Sequence, residues 1–147
     1  MKKIIILLLV FCLTVFAFAE DKPYRHGLSL NYGGPSSKFH AEYQYQLIAK
    51  EKHHLGVSAG VGYIFGGVGI PIGVQYRFGK IHQLETGLYY SQLASSVTTS
   101  FNISLRLGYR FNYKQFFAHA YVSPWMGVSY SGSPWMGFGI GMFLDSF

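Results

Sequence analysis

Charged side chains that alternate with apolar ones are the groups in this 147-residue chain that could do chemistry. Arg77 and Glu85 lie on two consecutive alternating segments that are joined by a short turn. An antiparallel register with Phe78 opposite Leu84 places Arg77 directly opposite Glu85, so the sequence predicts an ion pair between them. The same alternation adds three charged residues to this predicted interior polar network: Glu42, Arg106 and Arg110.

His40 and His119 are on the same predicted inward face of their strands as the network residues. Whether they lie at the same depth depends on the shear of the sheet, which the sequence does not give. His53 and His54 are adjacent in a predicted turn and cannot face one metal ion together. The 67–69 segment has the first glycines of a dinucleotide-binding loop, but Ile72 occupies the position of its later glycine. No catalytic, cofactor-binding or metal-ligating residue is therefore predicted.

The elements that must position these side chains are strands. Apolar and polar residues alternate with a period of two, which is typical of a strand with two unlike faces. Short segments rich in Gly, Ser, Asn and Lys separate the strands and impose an antiparallel meander. We count eight such strands, at residues 28–32, 39–47, 55–65, 70–78, 84–90, 101–111, 116–122 and 138–144.

The composition decides which face of the strands points inward. Only 12% of the residues are charged and 18% are aromatic, whereas the exterior of a soluble barrel needs many Lys and Glu side chains. The polar face here is mostly Gly, Ser, Asn and Gln, and the apolar face is wide and uncharged. The sequence therefore predicts an all-β fold, an eight-stranded antiparallel up-and-down transmembrane β-barrel with its apolar face in lipid.

The N-terminal residues are typical of a secretory signal peptide. Lys2 and Lys3 precede an apolar run, and a small-x-small cleavage pattern ends at Ala19. We expect a signal peptide at 1–19 and a barrel domain at 20–147. The only cysteine, Cys12, lies in the predicted signal peptide, so disulfides and thiolate sites are not expected in the mature part.

Three segments carry a resemblance to a known family: residues 79–88, 107–111 and 134–141. They resemble small bacterial outer-membrane proteins, the broad group with OmpA-like eight-stranded barrels. The resemblance implies a monomer in the cell outer membrane of a Gram-negative envelope, in contact with outer-membrane lipid and lipopolysaccharide. It also implies recognition of a C-terminal aromatic strand by the barrel-insertion machinery, and either Leu144 or Phe147 ends that signal. Nucleic acid is not an expected partner, because the mature part has ten Lys or Arg and six Asp or Glu without any basic run.

A short repeat brackets the last loop, since Ser-Pro-Trp-Met-Gly occurs at 123–127 and again at 133–137. Trp125 and Trp135 are interface or loop aromatics in our interpretation. One hypothesis places both in the membrane interface belt, and the other makes them an exposed surface for a ligand or partner.

The function predicted from these observations is a non-enzymatic role in envelope integrity or surface interaction, with a polar plugged interior. One alternative is a narrow channel for small solutes. Another is an enzyme that modifies lipid A, because some small barrels of this kind pair a His with a Ser for that purpose, but no His-x-Ser sequence occurs here. Strand parity predicts both termini on the periplasmic side, with the loops near Pro35, Gly67, Ser96 and Ser131 facing outward.

Overall fold

The computed structural model describes residues 24–34, 38–64, 67–95, 99–124 and 136–144. The predicted signal peptide therefore lies outside the described residues. No helix long and apolar enough to cross a membrane is present in these ranges. The strands are β1 His26–Gly33, β2 Phe39–Ala49, β3 His53–Ile64, β4 Gly67–Gly79, β5 His82–Ser95, β6 Thr99–Tyr113, β7 Phe116–Val122 and β8 Met136–Phe143.

The eight strands form one closed antiparallel barrel in which each strand pairs with its neighbours in sequence. The barrel closes where β1 pairs with β8, with Leu28 opposite Met142 and Leu30 opposite Ile140. Closure leaves neither of these strands with an unpaired edge along the paired segment. The structure thus confirms the predicted fold class, strand number and order.

The two faces of the wall differ as the alternation predicts. Along β4 every second side chain is buried, and the residues between them are exposed. The outward residues are large and apolar; Leu84 is 66% exposed and Ile140 is 67% exposed. The inward residues are mostly polar, so the barrel has a polar lumen and an apolar exterior, the reverse of a soluble protein.

Inward-facing glycines make room for aromatic rings in the lumen. A Cβ atom added to Gly73 would lie 2.5 Å from the Tyr89 ring, and one added to Gly137 would overlap the Tyr121 ring. Tyr89 and Tyr121 are only 2% and 4% exposed. The glycines of the polar face therefore leave the space in which bulky rings from the neighbouring strands fill the barrel.

Pro71 lies within β4 and not at its start. We expected this proline at the first residues of the strand or at a bulge, because proline cannot donate to the ladder. The structure places it fifth in β4, and the β3–β4 pairing stops at Ile72 and resumes at Gly69 in the same register. A Cβ atom added to the facing Gly60 would lie 3.1 Å from Pro71 Cγ. Our expectation was wrong, because a glycine on the neighbouring strand accommodates the ring without a register shift.

Candidate functional site

The lumen is the candidate functional site, because it collects almost all of the buried charge. All five residues of the predicted network are less than 5% exposed: Glu42 on β2, Arg77 on β4, Glu85 on β5, and Arg106 and Arg110 on β6. Inward parity on four different strands brings these side chains to one axis. The low dielectric of such a site makes the partners of each charge decisive.

A contact between Arg106 and Glu42 crosses the lumen, since β2 and β6 lie on opposite sides of the barrel. Arg106 Nη2 is 3.2 Å from Glu42 Oε2, and its Nη1 is 3.4 Å from Oε1. The Tyr89 hydroxyl accepts a hydrogen bond from Arg106 Nη1 at 2.9 Å and donates one to Glu42 Oε1 at 3.3 Å. The guanidinium also lies against the rings of Tyr89 and Tyr121, with distances of 3.9 and 4.2 Å to their centroids. This cluster, which we call the central plug, spans the barrel.

Arg110 forms a second contact across the lumen, nearer to the end where β1 begins. Its Nη1 donates a hydrogen bond to Gln44 Oε1 at 2.7 Å, and its Nε donates one to Asn112 Oδ1 at 3.1 Å. The guanidinium stacks on the Phe117 ring at 3.5 Å. The lumen is therefore filled at two consecutive levels.

The predicted ion pair between Arg77 and Glu85 is not formed, although the two residues are register partners. Glu85 lies within 4 Å of other cations, with Arg106 at 3.7 Å and Arg110 at 3.9 Å. Arg77 Nη2 instead lies 3.6 Å from the position of a Cβ atom on Gly56, in the space that this glycine leaves on β3. Among the described residues, Arg77 Nε and Nη2 have no hydrogen-bond partner. The register alone does not decide pairing, because each of these long side chains reaches other neighbours in the lumen.

The two histidines whose depth the sequence left open lie beside the carboxylates. His40 Nε2 is 3.5 Å from Glu42 Oε2, and His119 Nδ1 is 3.8 Å from Glu85 Oε2. His119 Nε2 is also hydrogen-bonded to Asn31 Oδ1 at 2.6 Å. The shear of the barrel thus places each of these two histidines within 4 Å of a lumenal carboxylate.

Sequence reasoning missed Tyr89, which contacts both residues of the central ion pair. Its parity within the fifth alternating segment would have placed it inside the barrel. The aromatic type suggested the membrane face, however, and the facing Gly73 that makes room for the ring becomes visible only once the register is known. The same holds for Tyr121 and Phe117, which cover the two arginines from β7.

The chemistry available in the lumen is that of charge neutralisation and hydrogen bonding. No group of three His, Cys, Asp or Glu side chains in the described ranges could hold a metal ion. Trp125, Trp135 and Phe147 lie outside the described residues. Leu144 follows β8 with its side chain 38% exposed, and its backbone N–H donates to the His26 carbonyl at 2.9 Å.

Comparison with known proteins agrees with the architecture. A search of curated proteins and a search of solved structures each give no significant match. The family model described as "Outer membrane protein beta-barrel domain" matches residues 5–142, which is nearly the whole chain. With its closed eight-stranded barrel, polar lumen and apolar exterior, the chain belongs to the outer membrane protein β-barrel domain family and is an outer-membrane protein.

Proposed function

We propose that this protein is a monomeric, non-enzymatic structural barrel that contributes to envelope integrity or to surface interaction, and that its lumen does not conduct. The observation that carries the proposal is the central plug, in which Arg106 of β6 contacts Glu42 of β2 at 3.2 Å. In an eight-stranded barrel the interior is just wide enough for side chains to fill. A contact between opposite walls therefore divides the lumen.

The packing around this contact strengthens the argument. The Arg106 guanidinium lies between the Tyr89 and Tyr121 rings, and the Arg110 guanidinium covers Phe117 in the next layer. Each layer combines a cation, a hydrogen-bond acceptor and an aromatic ring. Opening a path would require these layers to separate and would leave buried charges without partners, which is costly.

The non-enzymatic part of the proposal is based on the surroundings of the lumenal carboxylates. Both lumenal carboxylates lie close to arginines, with Glu42 next to Arg106 and Glu85 next to Arg106 and Arg110. A carboxylate held in this way is stabilised as an anion and is a poor general base. The alternative of a lipid A-modifying enzyme predicts altered lipid A in cells that express the protein, and analysis of their lipid A tests it.

We also propose that both ends of the chain lie on the periplasmic side. An even number of strands puts them at the same end of the barrel, and short turns are typical of the periplasmic end of such barrels. The connections at that end are short: β2 ends at Ala49 before β3 begins at His53, and β4 ends at Gly79 before β5 begins at His82. Partners on the outward wall would be outer-membrane lipid and lipopolysaccharide, and the barrel-insertion machinery would act during assembly.

Single-molecule conductance in planar lipid bilayers tests the plug. We expect no steady ion conductance from the wild-type barrel, and discrete openings from a Glu42→Ala/Arg106→Ala/Arg110→Ala triple variant, because both contacts across the lumen are removed. Leu84→Ala is the matched control, since Leu84 faces outward and should leave the barrel closed. A steady open conductance from the wild-type protein would contradict the proposal and would favour the narrow channel.

A further inference from the structure

Four strand pairs consist of an odd-numbered strand and the strand that follows it. Three of them, β1–β2, β3–β4 and β5–β6, carry the same group of side chains at the barrel end where β1 begins. The first residue of the odd-numbered strand is a histidine, and its Nδ1 is hydrogen-bonded to a tyrosine hydroxyl on the next strand. The pairs are His26 with Tyr43 at 2.6 Å, His53 with Tyr76 at 2.6 Å, and His82 with Tyr109. Each histidine ring also packs on the aromatic ring directly opposite, which is Tyr45, Phe78 or Phe111.

The fourth strand pair shows what this position looks like without this group of side chains. β7 begins with Phe116, which lies opposite Met142 of β8. Phe116 is 51% exposed and faces outward, as His53 and His82 do. The barrel therefore tolerates an apolar aromatic residue here, and closing the strand pair does not require the histidines.

Basic residues lie immediately beyond these groups of side chains. Every described connection at this end contains an exposed lysine, and an exposed arginine precedes β1; the residues are Arg25, Lys50, Lys52, Lys80 and Lys114. The only acidic residue among the described connections of this end is Glu51. We call the five basic residues and the three histidines the basic rim.

The outward face changes in steps toward this rim. Along β4, the apolar residues Ile72 and Val74 are followed by two aromatic residues, Tyr76 with its hydroxyl bonded to His53 and then Phe78, and these are followed by Lys80 in the turn. This order matches a lipid monolayer, in which acyl chains are followed by the polar interface and then by phosphate groups.

The described residues at the opposite end of the barrel do not show this profile. The outward residues of that end in the described ranges are mostly apolar or aromatic, including Phe39, Tyr63 and Phe101, and the polar residue Thr99 is uncharged. Lys38 is the one charged residue in the described connections at that end. The basic rim is therefore a property of one interface of the barrel and not of the fold in general.

We propose that the basic rim is a binding surface for anionic phospholipid headgroups of the leaflet that surrounds this end of the barrel. Clustered Lys and Arg beside a membrane attract anionic lipid, and each basic residue near the surface contributes about a fivefold preference. The histidines add directional contacts. When the Tyr76 hydroxyl donates its proton to His53 Nδ1, the ring proton is on Nε2, which can donate to a phosphate oxygen. The proposal deepens the proposed lipid partnership and, for the identity of the leaflet, rests on the proposed orientation.

Lipid retention measures this preference directly. The folded barrel is placed in phosphatidylcholine bilayers that contain a minor fraction of phosphatidylglycerol, extracted in mild detergent, and analysed for bound lipid by native mass spectrometry. We expect phosphatidylglycerol to be enriched by about fivefold over its fraction in the bilayer. The Lys50→Gln/Lys52→Gln/Lys80→Gln/Lys114→Gln variant should lose most of that enrichment, and Lys38→Gln, at the other end, should keep it.

A second variant tests the histidines at constant Lys and Arg content. His26→Phe/His53→Phe/His82→Phe gives all four strand pairs the residue that β7 already has, so we expect it to fold. The enrichment should fall below the wild-type value, because the imidazole donors are lost. If this variant keeps the wild-type enrichment, the histidines are not part of the lipid-binding surface. Equal lipid ratios in the wild-type and lysine variants would overturn the whole proposal, and neither result depends on whether the lumen conducts.

Discussion

At the scale of single residues, the lumenal arginines differ in how much they depend on a partner. Arg106 makes three hydrogen bonds to Glu42 and Tyr89, whereas Arg77 Nε and Nη2 have no partner among the described residues. Removing one member of a buried ion pair leaves the other charge uncompensated and costs about 3–5 kcal/mol. Replacing a poorly partnered buried charge removes a desolvation cost as well as a side chain.

We therefore predict opposite outcomes for two matched substitutions. Arg106→Met should lower the free energy of unfolding by about 3 kcal/mol or more, because Glu42 loses its cation. Arg77→Met should change it by less than about 1 kcal/mol. Urea titration of the protein in lipid vesicles, followed by tryptophan fluorescence, measures both. Equal destabilisation by the two substitutions would show that Arg77 has a stabilising role which its contacts do not explain.

At the scale of strands, the close fit between glycines and rings sets the shape of the lumen. Gly73→Ala forces a Cβ atom against the Tyr89 ring, and we expect a loss of about 1–3 kcal/mol from overpacking. Gly27→Ala is the control, because the nearest atom to its added Cβ lies at an ordinary 3.5 Å. In a Tyr89→Ala background the penalty for Gly73→Ala should largely disappear, and the unfolding free energies of the four proteins give this coupling. If the losses of stability from Gly73→Ala and Tyr89→Ala simply add, Gly73→Ala destabilises the barrel for a reason other than contact with the Tyr89 ring.

The same scale shows how far the sequence leads. Period-two alternation is enough to define eight strands and their inward faces, and one turn fixes the register of Arg77 against Glu85. It does not give the final contacts, because Arg77 turns toward Gly56 and the nitrogen-bearing side chains near Glu85 belong to β6 and β7. The depth of His40 and His119 depends on the shear, which is a property of all eight strands together. The expected position of Pro71 was wrong for the same reason, since the glycine that accommodates its ring belongs to another strand.

At the scale of the whole molecule, stability depends on the ladder that closes the barrel. β8 lies between β7 and β1, and Ile140 is opposite both Ala118 and Leu30. We expect the wild-type barrel to migrate differently on a denaturing gel with and without boiling. Ile140→Pro removes a backbone donor from the closing strand and should abolish this shift, whereas Ile140→Val should retain it. A heat-modifiable Ile140→Pro protein would show that the barrel does not need the full β8 ladder.

The pairing of β1 with β8 also constrains the time course of folding. Leu28 near the beginning of the chain must meet Met142 near its end before the sheet can close, so the final step joins the most distant parts of the sequence. Contacts of such long range make folding slow, because loop-closure entropy is lost before the contacts form. The barrel cannot close until the last strand is available. Its apolar residues are exposed throughout that interval, which makes aggregation the main competitor of correct folding.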